Sequence, residues 1–200
     1  IVSLNCETDF VAKNQDFQGF AEKMMDCIVA NDPKNTDALL ALSFDGDRSI
    51  GDAITDETGK IGEKIEIGSF ERIEGNSLAI YVHPGNQVVT MVASTTENAD
   101  VAKDIAMQAA AMAPIALDET EVSQEVLDKE LEIGKELAIQ EGKPEALAAN
   151  IAKGRLKKFL KENTLLNQLF IKDNKKTVKQ YVSEVGNGSE ITGFRRVSLK

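Results

Sequence analysis

Two hundred residues suit one or two domains and can bury a sizeable core, and 42% apolar with 28% charged residues is ordinary for a soluble globular protein. The formal net charge of −10 argues against nucleic-acid binding, which needs clustered Lys and Arg to neutralise phosphates. No run of about eighteen apolar residues occurs, and no basic-then-apolar start, so neither a membrane span nor a signal peptide is expected. Cys6 and Cys27 lack CxxC spacing and are read as buried, reduced thiols, which suits a cytoplasmic location. The chain opens at Ile1 without Met, inside a strand-like pattern, so a fragment, a processed form or an incompletely ordered chain is expected.

Ile1-Val2-Ser3-Leu4 reads as a strand. It leads into Cys6-Glu7-Thr8-Asp9-Phe10-Val11-Ala12-Lys13-Asn14, a strand-to-helix corner with an acid beside a large aromatic. Phe17, Phe20, Ala21, Met24, Cys27 and Ile28 recur at helical spacing, which predicts a helix over residues 15–30, ended at Pro33. Short helices are expected over 36–42 and 49–56. Strands are expected over 65–70, 78–83 and 87–93, joined by Glu74-Gly75-Asn76 and Pro84-Gly85-Asn86 as an antiparallel meander. A helix rich in Ala and Met follows over 97–112. Ser123 can cap another reaching 140, and Pro144 fits the first turn of one reaching 162. Residues 176–185 predict a last helix and 191–199 a closing strand.

Val11-Ala12-Lys13 after an Asp, echoed by Val101-Ala102-Lys103 after Asp100, hints at two related sheet-plus-helix halves. The fold class expected is α+β: two related antiparallel-sheet-plus-helix subdomains with a protruding helical hairpin. The boundaries expected are 1–100 for an N-terminal core subdomain, 101–141 with 189–200 for a C-terminal one, and 142–188 for a helical hairpin. Periodicity does not decide whether the 144–162 helix pairs with the helix before it or after it.

Chemistry-bearing constellations are sparse. His83 is the only histidine and stands in a turn beside Pro84, without the second ligand a metal site needs. Thr58-Gly59-Lys60 lacks the upstream glycine of a phosphate loop, where Ile54 stands, and its Ser or Thr, where Ile61 stands. Asp45-Gly46-Asp47 lacks the sixth-position glycine of a calcium loop. The plentiful carboxylates are read as solvated faces. Arg155, Lys157, Lys158 and Lys161 form one basic cluster, read as a solvated helix end or as a contact for an acidic partner. No enzyme, cofactor or metal is expected; a protein–protein role is. For the corner itself, residue statistics place Phe10 in the core and make Asp9 the helix cap, with Cys6 and Ala12 as packing.

Residues 2–14 closely resemble the signature of elongation factor Ts, the exchange factor of elongation factor Tu. His83-Pro84-Gly85, Ile105-Ala106-Met107-Gln108-Ala109-Ala110, Glu141-Gly142-Lys143-Pro144, Gly154-Arg155-Leu156-Lys157-Lys158-Phe159 and Thr192-Gly193-Phe194-Arg195-Arg196 resemble that family's further segments in order. Gln87-Val88-Val89-Thr90 departs from its Arg-Ile-Gly-Val, and the family's small N-terminal helical domain is not represented. The resemblance implies an exchange factor that binds elongation factor Tu and disturbs its magnesium site. It implies that Thr8, Asp9, Phe10 and Val11 form the intruding corner, with Phe10 as the wedge in place of core, and a further partner contact at Gln108. It implies no cofactor, no direct nucleic acid and no membrane. For 142–188 it implies a dimerisation region, hence a homodimer, or a second contact with elongation factor Tu. The alternative is a scaffold that binds elongation factor Tu without exchanging nucleotide.

Overall fold

The computed structural model describes residues 1–199. The last residue of the expected 189–200 segment lies outside them. The chain divides into two compact units: Ile1–Arg72 with the residues from Val197, and Ile73–Arg196. Helices and small antiparallel sheets make an α+β fold.

In the first unit, β1 (Val2–Asn5) is followed by a one-turn helix α1 (Asp9–Ala12) and by α2 (Gln15–Asn31). Asn14 caps α2, its Oδ1 accepting from Asp16 N at 2.7 Å, and Asp32 ends it in the left-handed region at φ 45°, just before Pro33. Phe17, Met24 and Ile28 give α2 its buried stripe. The short α3 (Thr36–Leu40) leads to a two-stranded hairpin, β2 (Ser43–Asp45) and β3 (Arg48–Ser49). Next comes α4 (Ile50–Ile61), opened by a reciprocal cap between Ser49 and Asp52 and closed by Gly62 at φ +78°. It runs five residues past the expected end at 56, because Gly59 is tolerated inside the helix and Gly62 supplies the stop. Met24, Leu39 and Ile50 are fully buried in the core these helices share. Burying a side chain of that size stabilises by roughly 1.5–3 kcal/mol.

The unit is closed by β4 (Glu66–Phe70), antiparallel to β1 with Val2 opposite Phe70 and Asn5 opposite Glu66. This corrects the expected meander. The strand over 65–70 pairs back to the chain's first strand and not to the strand after it. A turn signal such as Glu74-Gly75-Asn76 marks a change of direction, and it does not by itself oblige the flanking strands to pair.

The second unit holds a three-stranded sheet in the order β5 (Ser77–Val82), β6 (Val88–Ser94), β9 (Ile191–Ser198, of which residues 191–196 lie in this unit). Tyr81 faces Thr90 across β5 and β6. The Thr90 hydroxyl, fully buried, donates to the carbonyl of Ala106 at 2.7 Å, which ties the sheet to α5 (Ala99–Met112). The repeated Val-Ala-Lys has two fates. Val101 and Ala102 lie inside α5 and are buried, whereas Val11 is half-buried and Ala12 exposed on a helix of one turn. Ala12 is therefore not the packing residue it was expected to be.

Ser123 caps α6 (Gln124–Gln140), and Pro144 stands at the cap of α7 (Glu145–Asn163), one position earlier than expected. The two helices pair with each other, which answers the question periodicity left open. Their approach is close: a Cβ on Gly134 would lie 3.1 Å from Ala152 Cα, and Ala138 and Ala148 are fully buried. Gly134→Val is expected to force the helices apart at a cost of about 1–3 kcal/mol, read as a lower urea midpoint for the hairpin signal; an unchanged midpoint would contradict this packing. At the turn, Arg155 Nη2 donates to both Glu141 oxygens at 2.7 Å. This guanidinium holds the Glu141 carboxyl below its usual range and removes Arg155 from the expected solvated basic cluster.

Residues 142–184, expected to be helical or looped, also contain a small hairpin of β7 (Leu169–Phe170) and β8 (Asp173–Thr177) before α8 (Val178–Val185). Phe170 stacks on Tyr181 with ring centroids 4.0 Å apart. Among the described residues no helix is long and apolar enough to cross a membrane.

Candidate partner-binding corner

Strand register builds the corner. Because Asn5 at the end of β1 lies opposite Glu66 at the start of β4, the residues just beyond each strand meet. Gly62, in the left-handed region, turns the chain out of α4, and Glu63 follows it directly. The Glu63 carboxylate accepts three hydrogen bonds from the loop after β1: from Glu7 N at 3.1 Å and Thr8 N at 3.0 Å on Oε2, and from the Thr8 hydroxyl at 2.6 Å on Oε1.

Thr8 also caps α1, its Oγ1 accepting from Val11 N at 3.4 Å. The expected cap, Asp9, is instead the first helical residue. Its carboxylate points to solvent and pairs with Lys13 at 3.6 Å, both groups largely exposed, so the pair adds little stability. Val11 packs against the core of the first unit. Phe10 does the opposite. Its ring is 89% exposed, the most exposed large apolar side chain among the described residues. The reading of Phe10 as core is thereby overturned: a one-turn helix turns only one side to the core, and Val11 takes it.

Cys6 and Cys27 are free thiols, half-buried against the same core and not fully buried as expected. Desolvation first, and the Glu63 carboxylate second, push the Cys6 thiol up. At a pH near 8 folded Cys6 is expected to react with iodoacetamide several-fold more slowly than in urea, since the thiolate is the nucleophile. Equal rates would contradict the burial and the charge beside it.

Gln108 stands in the second unit, on α5, and is fully buried. Its Oε1 accepts from Ile171 N at 2.8 Å, and its Nε2 donates to the Leu169 carbonyl at 3.2 Å and to Gln168 Oε1 at 3.1 Å. The side-chain amide thus serves the β7–β8 hairpin as a peptide group would. Thr8, Asp9, Phe10 and Val11 are together on one turn; Gln108 is engaged inside the other unit.

Glu63 was missed by sequence reasoning, which saw only one carboxylate among many. Its one local signal is the position directly after a helix-ending glycine. The exposed His83 Nδ1 lies 3.2 Å from the Tyr81 hydroxyl. Among the described residues no group of three or more His, Cys, Asp or Glu is arranged to hold a metal.

A family model described as Elongation factor TS matches residues 7–200. A Porphyromonas gingivalis protein named Elongation factor Ts is 44% identical over 200 residues, covering 100% of this chain and 73% of that relative. Proteins of the same name from Christiangramia forsetii and Chloroherpeton thalassium are 45% identical over 202 residues and 48% over 212, with the same coverages. The family is one of translation elongation factors, and this chain belongs to the elongation factor Ts family.

Proposed function

We propose that the chain is a guanine nucleotide exchange factor that binds elongation factor Tu and promotes GDP release during elongation. The observation that carries this reading is Phe10: an apolar ring 89% exposed on a turn that Thr8 and Val11 anchor. An exposed ring on a fixed turn is a binding anchor without its pocket.

In this reading Phe10 enters the partner between side chains, and Thr8 and Val11 hold the turn. Asp9 approaches the magnesium site. Magnesium demands near-ideal octahedral geometry, so a small displacement of the partner's ligands weakens its hold on metal and nucleotide. Binding is reciprocal: a factor that prefers the nucleotide-free partner weakens nucleotide binding by the factor that nucleotide weakens its own. No bond is made or broken, and no cofactor is needed. Gln108, expected as a further partner contact, is fully buried and takes no direct part in this reading. The site of action is the cytoplasm.

The test is release of a fluorescent GDP from elongation factor Tu with increasing amounts of this chain. Acceleration supports exchange. Binding without acceleration makes the chain a scaffold, and neither result at micromolar concentrations removes the reading.

A further inference from the structure

The exposed ring needs a rigid mount, and α1 cannot supply one alone. A helix of one turn is far below the length at which helices are stable in water, roughly 12–15 residues. It must be held from outside. Val11 holds one side by packing. The other side is held by a single residue distant in sequence, Glu63, whose two oxygens collect the Glu7 amide, the Thr8 amide and the Thr8 hydroxyl within 3.1 Å. Charge-assisted bonds of this kind are the strong ones. They also settle the direction of the Thr8 hydroxyl: its proton goes to Glu63, which leaves its lone pairs for the Val11 amide. One carboxylate therefore orders the loop and completes the cap of the helix that carries Phe10.

We propose that Glu63 is a positioning residue for partner binding: it preorganises the Thr8–Val11 corner, so that docking Phe10 costs little ordering. The proposal rests on the exchange reading above and deepens it. Without Glu63 the corner samples other conformations, and apparent affinity falls by the fraction that remains competent. The plateau rate at saturating factor is retained, because the ring that does the displacing is intact.

Two variants and two readouts test this. In Glu63→Ala the amides of Glu7 and Thr8 are expected to exchange with deuterium about tenfold faster or more, having lost their acceptor, while those of Leu4 and Met24 keep their protection. The concentration of factor giving half-maximal GDP release rises by about tenfold, with the plateau unchanged. Glu63→Gln keeps an oxygen for the two amides and an N–H for the Thr8 oxygen, so it restores most of the affinity. Faster amide exchange with an unchanged half-maximal concentration overturns the positioning role, as does unchanged amide exchange. A fallen plateau with normal affinity also overturns it. If the wild-type chain does not accelerate release, the exchange reading fails and the positioning role with it; the amide measurement then reports a structural bond only.

Discussion

Replacing Phe10 with alanine is expected to abolish most stimulated GDP release while leaving the fold intact. The ring is 89% exposed in the free chain, so its removal opens no cavity and costs little stability. On the partner it is a different matter. A phenylalanine taken fully out of water contributes about 2–3 kcal/mol from its area alone. Anchors at the centre of an interface lose about 2–4 kcal/mol on truncation, a factor of roughly 30 to 1,000. Thermal unfolding of the variant should match the wild type within a degree or two. A large loss of stability would mean the ring packs on its own chain, which its exposure denies. Phe10→Leu should keep an intermediate activity, since it retains apolar volume without the ring's reach.

Gln108→Leu is expected to have the opposite signature, a large loss of stability in the second unit. The side chain is fully buried and makes three hydrogen bonds, to Ile171 N, the Leu169 carbonyl and Gln168. Leucine fits the volume but leaves those partners without Gln108. Each buried polar group left unpaired costs about 1–3 kcal/mol, so the total is roughly 3–5 kcal/mol after some rearrangement. A urea midpoint lowered accordingly, with lost protection at the Ile171 amide, is the expected result. If Gln108→Leu keeps its midpoint yet loses partner affinity, a direct contact replaces the internal one argued above.

These two residues show what a sequence makes legible. Local signals served well where the cause is local. Ser123 as a cap, Pro33 as a stop and the Phe17–Met24–Ile28 stripe all follow from neighbours within one or two turns. They failed where the cause is distant. The strand over residues 66–70 pairs with β1 across more than sixty residues, and no turn between β4 and β5 could reveal that. The β7–β8 hairpin escaped because Asp173–Thr177 is mostly polar and lacks alternation. What steadies that hairpin is the buried Gln108, sixty-three residues before Ile171.

The corner was half legible. Statistics placed Phe10 inside, because most phenylalanines are core. Only the family resemblance argued for the outside, and the exposure of the ring agrees with it. The role of Glu63 was not legible from its position after Gly62, since it depends on the register that sets Asn5 opposite Glu66. The same register argument extends to Asn5 itself. Its Oδ1 is buried without a partner, and its side chain lies over Gly68, where a Cβ would come within 2.3 Å of the Asn5 amide nitrogen. Gly68 leaves room for that side chain in the strand pair from which the corner departs.

In the proposed exchange, the outward ring at this corner drives nucleotide release. Stopped-flow release of fluorescent GDP from elongation factor Tu, with saturating wild-type chain and saturating Phe10→Ala side by side, tests it most directly. The expected result is a high plateau rate for the wild type and a plateau for Phe10→Ala close to the intrinsic rate. Equal plateaus for the two would contradict it.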